Sequence, residues 1–283
     1  MIVSMKKYIT DALNPAGGLL YHYLALKHRS SLWRPFIEEL GRWLSGWQPP
    51  EDRILLVGAS GGYTLPAEFL SRFRSIDVVE PDPLARIIFG RRFGGPGVDI
   101  GWSRTDFLGP GRDGIFDPAR TLSMLEKYPG RAVLFCNVLG QLCILHPEET
   151  AGASFKAWAA EVFQGVGGVV GDSDEGGERA SVGRMGRMGG LRGRSVASYH
   201  DRLSGPVAFS IENRAPRDFS SAEIARAFRS TEANVTLLDH ATGDIFRGDL
   251  NRVYFNWCVT PGQYHLIEGV FIPFYNPDLK AFV

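Results

Sequence analysis

The sequence predicts an α/β fold, a doubly wound, mostly parallel sheet closed at its C-terminal end by an antiparallel hairpin and preceded by helices. Three observations carry this. The run Arg53–Pro66 (RILLVGASGGYTLP) is a buried-strand pattern that breaks into a glycine turn, and a second apolar run after it ends in Val78-Val79-Glu80. Strand-like and helix-like runs then alternate, as parallel βα units require. Near the end, Pro261-Gly262 separates two β-rich segments at hairpin spacing.

Residues 1–50 read as a helical cap. Leu19–Leu26 gives a short aromatic-rich helix after the breaker cluster Asn14–Gly18. A second helix follows from Phe36, Ile37, Leu40, Trp43, Leu44 and Trp47 at helical spacing, with Ser31 as its cap, Pro35 in its first turn and Gln48-Pro49-Pro50 as its stop. These helices are expected to cover the edge or mouth of the main domain, residues 51–283. Strands are expected at 53–58, 75–80, 97–102, 131–137 and 167–172, and a helix at 154–164. Near-continuous apolar runs such as Ala132–Cys136 and Gly168–Val170 suit strands covered on both faces. Residues 176–206 read as a lid or loop insertion, because arginine and glycine replace any period there. A helix over 218–228, with Ser220 and Glu223 at capping-box spacing, precedes β-rich segments at 234–239, 252–259 and 264–272.

With 44% hydrophobic and 12% aromatic residues among 283, the chain can bury a large core. Its 31 basic residues balance 31 acidic ones, so no global field draws it to nucleic acid or to an anionic membrane. The Arg179–Arg194 loop is the one local patch that could clamp phosphates, but no aromatic residue interleaves it before Tyr199, which favours a lid. No apolar stretch reaches membrane-spanning length, and Met1–Lys7 leads into polar sequence, so a cytoplasmic protein is expected. Cys136, Cys143 and Cys258 lack paired spacing and read as reduced thiols.

An ionised carboxylate at a strand tip, such as Glu80, is all acceptor and suits the two hydroxyls of a ribose. Together with the glycine turn and the terminal hairpin, it makes residues 53–272 resemble the class I S-adenosylmethionine-dependent methyltransferases. The resemblance implies a seven-stranded sheet, S-adenosylmethionine as cofactor with S-adenosylhomocysteine as product, and a small-molecule methyl acceptor. It places Gly58, Ala59, Ser60, Gly61 and Gly62 in the turn whose backbone approaches the methionine part of the cofactor. It makes Glu80 the ribose acid, with Asp82 in reserve, and Asp106 of Thr105-Asp106-Phe107 the adenine contact. Asn137, after the fourth strand, would face cofactor or substrate. Leu56 stands where the family carries an acid, and Ser60 where it has its middle glycine.

Methyl transfer needs alignment and exclusion of water more than a particular side chain. His22, His200, His240 and His265 are candidate bases by chemistry alone, and Tyr21, Tyr23 and Trp33 could line a pocket. Asp172, Asp174 and Glu175 read as solvated, so no metal site is expected. Gly58–Gly62 also satisfies G-x-S-x-G, which makes a serine hydrolase with Ser60 as nucleophile the alternative reading, beside a non-catalytic nucleotide-binding module. A nicotinamide dehydrogenase fits less well, because G-x-G-x-x-G is absent.

Overall fold

The computed structural model describes residues 18–95, 97–105, 108–111, 113–150, 153–167, 194–209, 237–240, 242–243, 245–246 and 250–272. Five strands lie parallel: β1 (Arg53–Val57), β2 (Ser75–Val79), β3 (Asp99–Ser103), β4 (Ala132–Cys136) and β5 (Val196–Gly205). The two-residue β6 (Leu238–Asp239) pairs antiparallel with the end of β5. β7 (Arg252–Thr260) and β8 (Gln263–Ile272) form the expected hairpin, and β8 inserts antiparallel beside β5. The main path runs β3-β2-β1-β4-β5-β8-β7, so the order reverses between β1 and β4. In such sheets the crevice beyond the strand tips at the reversal is where ligands bind.

Alternation along each strand divides the core in two. Ile54, Leu56, Ile76, Val78 and Leu134 face one side, where they meet α1 (Gly18–His28) and α2 (Arg34–Gly46) through Ala25, Trp33, Phe36 and Leu40. Leu55, Val57, Val133 and Phe135 face the other, against α5 (Pro118–Leu125) and α8 (Ala153–Gly167) through Leu122, Phe155, Trp158 and Val162. The short α3 (Ala67–Leu70), α4 (Pro83–Phe93), α6 (Val138–Leu145) and α7 (Pro147–Thr150) complete the described helices.

The front helices belong to the sheet's cover. Phe36 stacks on Trp257 at 5.0 Å between centroids, Trp43 stacks on Phe271 at 4.3 Å, and Trp33 donates its indole N–H to the Val259 carbonyl at 2.9 Å. Pro35 sits in the first turn of α2, as expected. Ser31 does not cap it: its hydroxyl donates to the His28 carbonyl, and Trp33 takes the N-cap position.

The largest departure concerns the fifth strand. It was expected at 167–172, but Gly167 ends α8 and 168–172 lie outside the described residues. The strand beside β4 is Val196–Gly205, inside the segment read as a lid. It escapes hydropathy because Ser198, His200, Asp201, Arg202 and Ser204 are all buried within it. Arg194, expected in a phosphate-clamping loop, is also buried and donates to the Leu125 carbonyl at 3.1 Å. The rest of that loop, the 218–228 helix, residues 234–236 and Asp172, Asp174 and Glu175 lie outside the described residues.

Candidate functional site

At the reversal point the chain leaves β1 through Gly58 and turns back under itself. Gly58 and Gly62 have positive φ (73° and 64°), and so does Ser60 at 48°, the left-handed region that glycine normally fills. The chain's own packing also favours glycine here. A Cβ at Gly58 would lie 2.8 Å from the Val138 side chain, and one at Gly62 would lie 2.5 Å from the Phe93 ring. Close approach by neighbouring side chains of the chain itself therefore demands glycine here. Ala59 points into the core, as does Leu56 beneath it.

Glu80 clamps this turn. One carboxylate oxygen accepts the Ser60 N–H at 2.8 Å, and the other accepts the Asp82 N–H at 3.1 Å. Burial pushes the Glu80 carboxyl above its usual range, against the opposing pull of those two N–H donors. The residue nevertheless borders a cleft of about 110 Å³ lined by Gly58, Val79, Thr105, Leu108, Gln141 and Leu142. Each carboxylate oxygen accepts one backbone bond and keeps a further lone pair for a donor. Asp106 and Phe107 lie outside the described residues, while their neighbours Thr105 and Leu108 line the cleft.

α1 closes over the same strand tips. His22 bonds the Tyr63 hydroxyl through Nδ1 and the Asp82 carboxylate through Nε2, both at 2.8 Å. Burial works against the Asp82 charge, but His22 and the Leu84 N–H outweigh it and hold the carboxyl below its usual range. Asp82 is thus the N-cap of α4 and the anchor of α1 together. Next to it, burial holds the Tyr21 phenol well above its ordinary pKa, reinforced by Tyr63, Asp201 and Glu80. Tyr21 therefore lies within electrostatic reach of carboxylates on either side of the reversal point. Tyr23 faces solvent, and Trp33 is core.

Asn137 follows β4 in the left-handed conformation, φ 55°. Its amide is matched atom for atom to β5: Nδ2 donates to the Asp201 carboxylate at 3.0 Å, and Oδ1 accepts the Asp201 N–H at 2.8 Å. Gly58, Ala59, Ser60, Gly62 and Glu80 are thus one constellation, and Asn137 belongs to a second one centred on Asp201. The second constellation was not read from the sequence. Its only sequence signal was a polar run where a strand was needed.

Ser60 lacks the surroundings of a nucleophile. Among the described residues no histidine is hydrogen-bonded to it, and both ring nitrogens of His22 are engaged by Tyr63 and Asp82. The hydrolase alternative finds no support.

No family model matches the chain, and no curated protein matches it. Solved structures do. One is the N-methyltransferase NodS from Bradyrhizobium japonicum WM9 in complex with S-adenosyl-L-homocysteine, at 15% identity and TM-score 0.39, covering 85% of this chain and 87% of that one. Another is CalS10 with bound S-adenosylmethionine, an amino pentose methyltransferase from Micromonospora echinaspora, at 15% identity and TM-score 0.37, covering 88% and 95%. A third is the magnesium protoporphyrin IX methyltransferase from Synechocystis PCC 6803 with bound S-adenosylmethionine, at 11% identity and TM-score 0.36, covering 83% and 78%. At these values the likeness assigns no activity to this chain.

Proposed function

We propose that the chain is an S-adenosylmethionine-dependent methyltransferase acting on a small molecule in the cytoplasm. One observation carries the reading: an acceptor-only carboxylate, Glu80, stands at the tip of β2 beside the glycine turn and borders a cleft at the sheet's reversal point. The donor set fits the cofactor. A ribose diol offers two donors to a group with lone pairs to spare, and the apolar walls Leu108 and Leu142 suit a purine face.

When bound, S-adenosylmethionine supplies an electrophilic sulfonium methyl. The chain's part is to bind, align and keep water out. Glu80 would hold the sugar, the main chain at 58–60 the amino-acid end, and Thr105 with Leu108 the base. Asp106 remains the proposed adenine partner. Asn137 would act at one remove, by fixing Asp201 at the acceptor side. α1 is tied to the strand tips through the bond of His22 to Asp82.

A small acceptor suits a cleft covered by helices and a chain of zero net charge. Among the described residues no helix is long and apolar enough to cross a membrane. Cys136, Cys143 and Cys258 are all unpaired, in keeping with a reducing compartment. Calorimetry with S-adenosylhomocysteine tests the proposal: saturable binding is expected, and Glu80→Ala should cost about 1.5–3 kcal/mol of it. No binding at millimolar ligand would refute the cofactor, and unchanged affinity in Glu80→Ala would remove Glu80 from the site.

A further inference from the structure

Beyond Asn137, the constellation centred on Asp201 contains two histidines from separate elements. His265, on β8, places Nδ1 2.9 Å from Asp201 Oδ1. His240 follows β6 directly, and its ring centroid lies 5.9 Å from that of His265. One donor atom from each of the three lies within 4.8 Å of the other two. Asp201 and His240 are almost fully buried, at 2% and 1% exposure, so this is no solvated surface group of charges.

On His240 and Asp201 the supporting bonds leave ligand atoms of the right kind. His240 Nδ1 lies 3.2 Å from the Gly140 carbonyl, which can only accept, so Nδ1 carries the proton and Nε2 keeps its lone pair. Among the described residues Nε2 meets only the Ser204 hydroxyl at 3.1 Å, a group able to turn away. Asn137 donates to Asp201 Oδ2 and leaves Oδ1 on the histidine side. Gly140 is glycine because a Cβ there would lie 2.6 Å from the Asp201 side chain, so α6 and β5 press together at this point. A ligating histidine tied by its other nitrogen to a carbonyl, and a ligating carboxylate held by an amide, are the outer supports that metal sites use.

We infer that Asp201, His240 and His265 form a binding site for one borderline divalent cation of the Zn²⁺ class. Two imidazoles and one carboxylate suit that class. His265 Nδ1 donates to Asp201 Oδ1 at 2.9 Å, and for Nδ1 to ligate it would give up that proton, as ligands do when a metal binds. The imidazoles close the remaining spacing by swinging onto the ion. Three protein ligands leave at least one coordination position open, the arrangement of a reactive centre. The inference does not depend on methyl transfer.

The test uses the full chain, stripped with a chelator and titrated with Zn²⁺ alone, without cofactor. One Zn²⁺ per chain is expected, with affinity reduced at least about 100-fold in His265→Gln and about 10- to 100-fold in Asn137→Ala. Co²⁺ substitution should give visible bands without a thiolate charge-transfer band, which separates this site from binding at Cys258. No saturable binding, affinity unchanged in both variants, or a thiolate spectrum would each overturn it. His265 is only partly buried, so its variant should keep the parent's far-ultraviolet dichroism; should it unfold, the Asn137→Ala titration and the Co²⁺ spectrum of the parent decide. Metal binding without S-adenosylhomocysteine binding, or the reverse, tells the failure of one reading from the failure of the other.

Discussion

The strands on either side of β4 are both largely buried near the sheet's centre, but β1 and β2 are mainly apolar and β5 is half polar. β4 is apolar throughout, β1 and β2 are apolar apart from Arg53, Ser75 and Asp77, and Ile54, Leu55, Leu56, Val133 and Leu134 are wholly hidden. β5 is hidden almost throughout as well, yet half of it is Ser198, His200, Asp201, Arg202 and Ser204. On one face of it, Glu268 from β8 lies 3.2 Å from Arg202 Nε and 3.4 Å from Arg252 Nε. The Arg202 Nε–H is not aimed at the oxygen, so that pair is Coulombic and not an aligned hydrogen bond. The comparison teaches that burial in this fold follows position in the sheet. Hydropathy reports burial only where the chain has no charges to match.

The largest blow to the comparison would come from Glu268→Ala, which leaves two arginines buried near each other. Unfolding should show a loss of about 3–5 kcal/mol. Leu56→Ala in the apolar half should cost about 2–5 kcal/mol by cavity formation. The halves then differ in what another apolar residue does: Leu56→Met should cost less than about 1.5 kcal/mol, whereas Glu268→Leu should cost as much as Glu268→Ala. A Glu268→Leu variant as stable as the parent would erase the distinction drawn here.

A second contrast lies in pH. Burial, aided by Arg202, depresses the His200 pKa from 6.5 to about 3, so the ring stays neutral in the fold while the unfolded chain takes up a proton. The stability gained is full above 6.5 and is lost as pH falls toward 3, at about 1.4 kcal/mol per unit. Denaturant unfolding at a series of pH values should show that slope flattened by about this amount in His200→Asn. Equal slopes in parent and variant would show that the polar half does not respond to acid through this ring.

The smallest effect belongs to the glycine turn. Ser60 pays a left-handed backbone that glycine would relieve, but glycine frees the unfolded chain, so Ser60→Gly should stay within about 1 kcal/mol of the parent. Thermal unfolding would measure it, and a larger loss would mean that the serine side chain itself holds the turn.

These contrasts also explain what could be read in advance. The glycine turn, Glu80, the apolar strands and the hairpin were legible because each rests on local chemistry: a period, a turn pair, a carboxylate after an apolar run. β5 was not, since its polar residues are matched by partners on β7, β8 and after β6 that no local window contains. Asp201 is the plainest case: its partners Asn137 and His265 each lie 64 residues away. The turn at Gly58 and Gly62 was legible as a turn, but the side chains crowding it come from α4 and α6 and needed the fold to appear.

The indole of Trp33 bonds a carbonyl 226 residues downstream. During synthesis, then, α1 and α2 leave the ribosome long before the hairpin they cover exists, and their tryptophans have nothing to rest on. Contacts of such sequence separation form late and slowly, and exposed apolar faces recruit holding factors in the meantime. By this one bond, a turn made 226 residues before its partner waits for that partner to settle.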